Sequence, residues 1–100
     1  MQLCRLDDLK DGSARRFDGP GYRLAVVRIG DDVYAIGDRC SHQDYSLAEG
    51  EVDPDDRTLE CWKHGSTFDM RSGEPTTLPA TQPVPVYEAR VEDGWVVVDV

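Results

Sequence analysis

Two short boxes hold the side chains with the greatest chemical reach, Cys40-Ser41-His42 and Cys61-Trp62-Lys63-His64. Each brings one thiol and one imidazole together within a few residues, and the chain's 2 histidines both fall in these boxes. Read together, the boxes offer two sulfurs and two nitrogens to one metal site. Thiolates select zinc, copper(I) or iron–sulfur clusters and imidazole suits zinc, copper and iron, which leaves two candidates. One is a structural zinc ion; the other is a two-iron, two-sulfide centre with mixed ligation. Zinc sites of Cys2His2 composition usually run as a cysteine pair followed by a histidine pair, whereas the order here is Cys-His and then Cys-His. Two cysteines on one iron and two histidines on the other fit that interleaving directly.

The elements that must position the boxes read as strands joined by turns. Gln2 to Leu6 alternates weakly as an opening strand, followed by a polar turn around Asp7 to Ser13. Ala14 to Phe17 is expected as a short second strand, ended by Asp18-Gly19-Pro20-Gly21. Tyr22 to Ile29 and Val33 to Ile36 form a predicted hairpin about Gly30-Asp31-Asp32, its β-branched and aromatic residues suiting a half-buried surface. From about residue 38 to 80 the texture changes to short segments and turn residues, expected as a small metal-binding lobe inserted into the sheet protein. Within it, Ser46 to Val52 leaves a turn of helix and a plain loop as alternatives, and Asp53-Pro54-Asp55-Asp56 is a strong turn signal. Thr58 to Cys61 reads as a strand delivering the second box and Phe68 to Met70 as a strand leaving it, with a turn at Arg71-Ser72-Gly73-Glu74. The boxes therefore fall at the tips of neighbouring loops. Val84 to Val91 returns to the larger sheet, starting at an edge because of Pro85. Asp93-Gly94 is a favoured hairpin turn, and Trp95 to Val100 closes the chain as a core strand. No repeat, low-complexity tract or linker appears, so one all-β domain over residues 1–100 is expected.

Composition narrows the function. The 20 acidic residues outnumber the 11 basic ones, for a net charge of -9. Such a surface repels phosphate backbones, which argues against nucleic acid, and steers partners with a basic docking face. No apolar run is long enough for a membrane helix, and the opening Met1-Gln2-Leu3-Cys4 lacks the layout of a signal peptide, so a cytoplasmic protein is expected. Three cysteines cannot all pair, in keeping with a reducing compartment. Cys4, outside the boxes, reads as a small buried hydrophobe in the first strand. Enzymatic chemistry has little to work with. A facial-triad iron site needs two more histidines and a carboxylate, and no glycine fingerprint for a nucleotide is present.

At these residues the sequence resembles the Rieske ferredoxin family. The resemblance rests on Cys40, His42, Cys61 and His64, on the continuation Gly65-Ser66-Thr67-Phe68-Asp69, and on Leu78-Pro79-Ala80, which is similar to the family's proline-bearing covering loop. It implies an antiparallel β-sandwich base carrying a cluster-binding lobe, and one [2Fe-2S] cluster per chain. Cys40 and Cys61 would hold the buried iron, and His42 and His64 the outer iron near the surface. It also implies a monomer that relays single electrons from a ferredoxin reductase to a terminal non-haem iron oxygenase or a similar acceptor. The alternatives are an accessory protein of iron–sulfur assembly with the same centre, and a zinc-binding interaction module.

Charge counting explains the ligand choice. With two ferric ions, two sulfides, two thiolates and two neutral imidazoles the oxidised centre is neutral, whereas four thiolates would leave it doubly negative. An added electron is therefore better tolerated, and such centres lie at about -150 to +300 mV against about -400 mV for plant-type ferredoxins. Respiratory members of the family carry an extra cysteine in each box, joined as a disulfide. The matching positions here are Tyr45 and Lys63, so that bridge cannot form. Ser66 matches a hydroxyl donor of the higher-potential group, but Phe68 stands where that group has tyrosine. A potential in the lower half of the range is expected, and a measured midpoint well above zero would refute it.

Overall fold

The computed structural model describes residues 1–41, 45–63, 65–78 and 80–100. Among the described residues there are ten strands, β1 (Gln2–Arg5), β2 (Ser13–Gly19), β3 (Tyr22–Ile29), β4 (Asp32–Gly37), β5 (Val52–Asp53), β6 (Thr58–Glu60), β7 (Thr67–Asp69), β8 (Val86–Tyr87), β9 (Ala89–Glu92) and β10 (Trp95–Val98). They pair antiparallel into three sheets, ordered β1-β10-β9, β2-β3-β4-β8 and β5-β6-β7. Single 3₁₀ turns at Leu6–Asp8 and Leu47–Glu49 are the helical elements among the described residues. The second of these decides the open choice at Ser46 to Val52 in favour of a turn.

The turns form where the sequence places its glycines. Gly19 pairs with Tyr22 across Pro20-Gly21, with Gly21 at φ 79°, and Ile29 pairs with Asp32 across Gly30-Asp31, with Gly30 at φ 62°. At the last hairpin both Asp93 and Gly94 take positive φ, 52° and 79°, as a two-residue turn of the type that Asp-Gly favours.

The four-stranded sheet separates two cores. Leu24 and Val26 of β3 and Val33 and Ala35 of β4 pack with Cys4, Leu9, Val96 and Val98 toward the β1-β10-β9 sheet, making the sandwich base. Ala25 and Val27 of β3 and Ile36 of β4 face the other way, onto Leu47, Leu59, Phe68, Met70 and both box cysteines. Leu24 to Val27 are consequently buried without interruption. This corrects the expectation of a half-buried hairpin: the lobe covers the face that would otherwise meet solvent, so β3 reads as a continuous apolar run, as strands buried on both sides do.

Two further boundaries differ from expectation. The second strand extends over Ser13–Gly19, because all seven of its residues pair with β3 despite their polarity. The segment Val84 to Val91 is two strands in two sheets. β8 lies at the edge of the four-stranded sheet and β9 at the edge of the three-stranded one, with the Glu88 carbonyl between them accepting the Asp99 N–H at 2.9 Å. Cys4 is buried in β1 as expected, and that burial pushes its thiol above the ordinary range. No helix among the described residues is long and apolar enough to cross a membrane.

Candidate metal centre

The first box leaves the end of β4. Asp38, immediately after that strand, is completely buried, and four groups converge on its carboxylate. Ser46 Oγ donates to Oδ1 at 2.9 Å and the Ala48 N–H at 2.8 Å, while Arg23 Nε donates to Oδ2 at 3.1 Å and Arg16 Nε stands 3.6 Å away. The Asp38 carbonyl also accepts the Leu47 N–H at 2.6 Å. One buried carboxylate thus joins β2, β3 and both stems of the first loop, which further pair as an Arg39–Ser46 bridge.

The second box leaves β6 and returns through β7. Gly50 lets β6 approach, since a Cβ there would stand 1.5 Å from the Glu60 carbonyl oxygen. Gly65 takes φ 77°, and its N–H donates to the Cys61 carbonyl at 3.0 Å, giving the tight turn that glycine favours. At the end of β7, Asp69 accepts from the Arg71 side chain and from the Arg71 and Ser72 N–H groups. The Arg71 hydrogen bond, helped by these backbone donors, holds its carboxyl below the usual carboxylate range despite partial desolvation.

The two loops share a closure. The Cys40 N–H donates to the Tyr45 carbonyl at 2.9 Å, and the Cys61 N–H donates to the Ser66 carbonyl at 2.6 Å. In each loop the cysteine is tied to the residue five positions on. Cys40 is 2% exposed and Cys61 1%, and both belong to the core beneath the loops. The segment after Leu78 fastens to both: Ser41 Oγ donates to the Gln82 carbonyl at 2.5 Å, and Ala80 N–H donates to the buried Ser66 Oγ at 3.1 Å. With its oxygen accepting from Ala80, Ser66 keeps a hydroxyl proton to donate elsewhere. Trp62 is half exposed and packs edge to face on Tyr45.

The structure therefore brings Cys40 and Cys61 into one core beneath the two loops, while His42, His64 and Pro79 lie outside the described residues. Thiols are soft metal ligands, and two of them in one core beneath adjoining loops fit the cysteine half of a two-iron, two-sulfide cluster. The imidazoles follow each cysteine at two and three positions in the chain. The residues that sequence reasoning missed are Asp38 and its arginines. The available signal was a carboxylate directly between a hydrophobic strand and a ligand box, but Arg16 and Arg23 lie too far away in sequence to be paired with it by pattern.

Residues 1–88 match the family model described as the Rieske [2Fe-2S] domain. The chain belongs to this family, and its cofactor is a Rieske-type [2Fe-2S] cluster, which sets aside the zinc reading. Within the family it is similar to ferredoxins. It is 38% identical over 99 residues to the 3-phenylpropionate/cinnamic acid dioxygenase ferredoxin subunit of Escherichia coli (strain K12), covering 99% of this chain and 92% of that subunit. The solved ferredoxin of carbazole 1,9a-dioxygenase from Nocardioides aromaticivorans IC177 superposes with a TM-score of 0.94 at 39% identity, over 98% of this chain and 94% of that one. A ferredoxin solved in complex with the reduced oxygenase of carbazole 1,9a-dioxygenase gives 0.91 at 39% identity, over 99% and 100% of the two chains. The protein is an electron-transfer ferredoxin and not itself a catalyst.

Proposed function

We propose that this chain is the soluble, cytoplasmic, monomeric ferredoxin of a multicomponent oxygenase, taking single electrons from a separate reductase and passing them to a terminal non-haem iron oxygenase. In this reading Cys40 and Cys61 hold the inner iron and His42 and His64 the outer one. The carrying observation is the pair of buried cysteines on two loops with the same hydrogen-bonded closure. Similarity to a ferredoxin that forms a complex with its oxygenase supports the choice of acceptor.

When bound, the cluster supplies reversible one-electron transfer at a potential raised by imidazole ligation. The protein does the rest. Phe68, Met70 and Leu59 seal the inner side of the loops with fully buried side chains. Ser66 offers a hydroxyl proton beside the Cys61 loop, and hydrogen bonds to cluster sulfurs raise the potential. Trp62, 50% exposed, and Leu78, 77% exposed, give the rim apolar surface that a partner can cover. The net charge of -9 steers a partner with a basic docking face toward the ferredoxin.

The test is anaerobic purification followed by iron and sulfide analysis, visible spectroscopy and electron paramagnetic resonance after reduction. Equal iron and acid-labile sulfide with a rhombic Rieske signal is expected, and His42→Ala or His64→Ala should abolish both the signal and the visible bands. Unchanged absorption and redox titration in either variant would refute the ligand assignment. For the role, reduced protein mixed with an oxygenase component of an aromatic-ring dioxygenase should reoxidise faster than buffer-diluted protein. The rate should fall as salt screens the charges. Reoxidation no faster than in buffer would sink the carrier role.

A further inference from the structure

We infer that Tyr45, Trp62 and Lys63 form a brace between the two ligand loops, and that these positioning residues govern how long the cluster stays bound. The inference rests on the ligand assignment proposed above. Under that assignment each iron takes one ligand from each loop, Cys40 with Cys61 and His42 with His64. Any parting of the loops therefore strains bonds to both irons at once. What holds one loop against the other then sets the rate at which the site opens.

The geometry places three side chains across that seam. The Tyr45 and Trp62 rings meet at 5.2 Å between centroids and 79° between planes, the edge-to-face arrangement in which a ring's positive rim meets its neighbour's negative face. Lys63 Nζ lies 5.8 Å from the Tyr45 ring centroid and 5.7 Å from that of Trp62, within reach of cation–π attraction to both. Among the described residues the Tyr45–Trp62 and Lys63–Tyr45 contacts are the ring contacts that pass directly from one loop to the other, while Lys63 and Trp62 meet within the second loop. The segment after Leu78 ties to each loop separately, at Ser41 and at Ser66.

The anchoring of each member makes the contact mechanically relevant. Tyr45 accepts the Cys40 N–H through its carbonyl, so its ring is fixed to the closure of the first loop. Trp62 directly follows Cys61, and Lys63 directly precedes His64. A force that separates the rings acts on the backbone next to a proposed ligand in each loop. The contact lies at the surface, with Trp62 half exposed, so its effect is moderate. Loss of one aromatic pair with its cation corresponds to about a tenfold change in a loop-opening equilibrium.

The experiment uses the holoprotein and follows decay of the visible absorption in excess iron chelator. Tyr45→Leu and Trp62→Leu should each speed cluster release about tenfold, and the double variant should be no faster than either single one. Tyr45→Phe keeps the ring and should release at the wild-type rate. Lys63→Met should speed release less, and its rate should lose the salt dependence of the wild type. Unchanged release in both leucine variants, or singles whose effects multiply in the double variant, would overturn the brace. Failure of Tyr45→Phe to restore wild-type behaviour would do the same, since it would assign the effect to the hydroxyl. Failure of the ligand assignment is read separately, as a His64→Ala protein that keeps its visible bands.

Discussion

Asp38→Ala should be among the most damaging single substitutions outside the boxes. The carboxylate is fully buried and receives Ser46 Oγ, the Ala48 N–H and Arg23 Nε at 2.8–3.1 Å, with Arg16 Nε at 3.6 Å. Its removal strands one part-buried backbone donor and one buried hydroxyl and takes a shared counter-charge from two guanidinium groups, of which Arg16 keeps Asp18 at 2.9 Å. Breaking a buried ion pair from one side costs about 3–5 kcal/mol. Here the arginine side chains are 31% and 43% exposed, so water takes up part of their loss. We expect about 3 kcal/mol, the lower end. For a domain of this size each kcal/mol shifts the midpoint by about 4–8 °C, so the melting temperature should fall by about 12–24 °C. Because bound cofactor adds its own stabilisation, urea unfolding of the cluster-free protein by far-ultraviolet circular dichroism is the cleaner assay. Arg23→Met should show a smaller loss, and a double-mutant cycle with Asp38→Ala should be non-additive. A destabilisation by Asp38→Ala below about 0.5 kcal/mol, the level of an ordinary surface change, would refute the reasoning.

Other substitutions report on other parts of the site. Gly50→Ala drives a Cβ into the Glu60 carbonyl and should cost about 3 kcal/mol, the upper end for overpacking, measured by the same unfolding assay. Ser66→Ala removes a hydroxyl beside the second loop and should lower the midpoint potential in protein-film voltammetry; an unchanged potential would show that its proton points elsewhere. Asp69, whose carboxyl is held below its ordinary value chiefly by Arg71, contributes stability that is complete above its unfolded pKa of about 3.9 and is lost as pH falls through the lower folded value. Asp69→Asn should therefore flatten the acid limb of the stability curve of cluster-free protein below about pH 4, and identical wild-type and variant limbs would contradict this.

What the sequence made legible depended on how local the determinants are. The hairpin turns at Gly30-Asp31 and Asp93-Gly94 are set by two residues each, and both stand where the pattern placed them. The proposal for the box cysteines rests on residue type and spacing, and the structure adds that Cys40 and Cys61 share one core. The burial of β3 on both faces was missed because alternation is a signal of one-sided exposure, and nothing in Leu24-Ala25-Val26-Val27 tells which element covers the second side. The Asp38 network was invisible for a related reason, since its partners are drawn from β2, β3 and the far stem of its own loop. Residue type shows that Tyr45 and Lys63 cannot form a bridge and that Lys63 brings positive charge to the second box, but the approach of its ammonium to the Tyr45 ring is a matter of three-dimensional placement.

The uninterrupted apolar run in β3 has a consequence for how the chain threads itself. Elsewhere a one-residue slip between strands is penalised because it would push oily side chains into water. Leu24 to Val27 would find greasy neighbours on either side after such a slip, so hydrophobicity supplies little proofreading there. Alignment must come from the tight corners at Pro20-Gly21 and Gly30-Asp31, which fix where each hairpin begins to zip. A slip at the second corner would carry the exit of β4 along by about 3.3 Å, drawing Asp38 away from Arg23 and misplacing Cys40 with it. Two small corners thus act as the ruler against which the first ligand loop is measured.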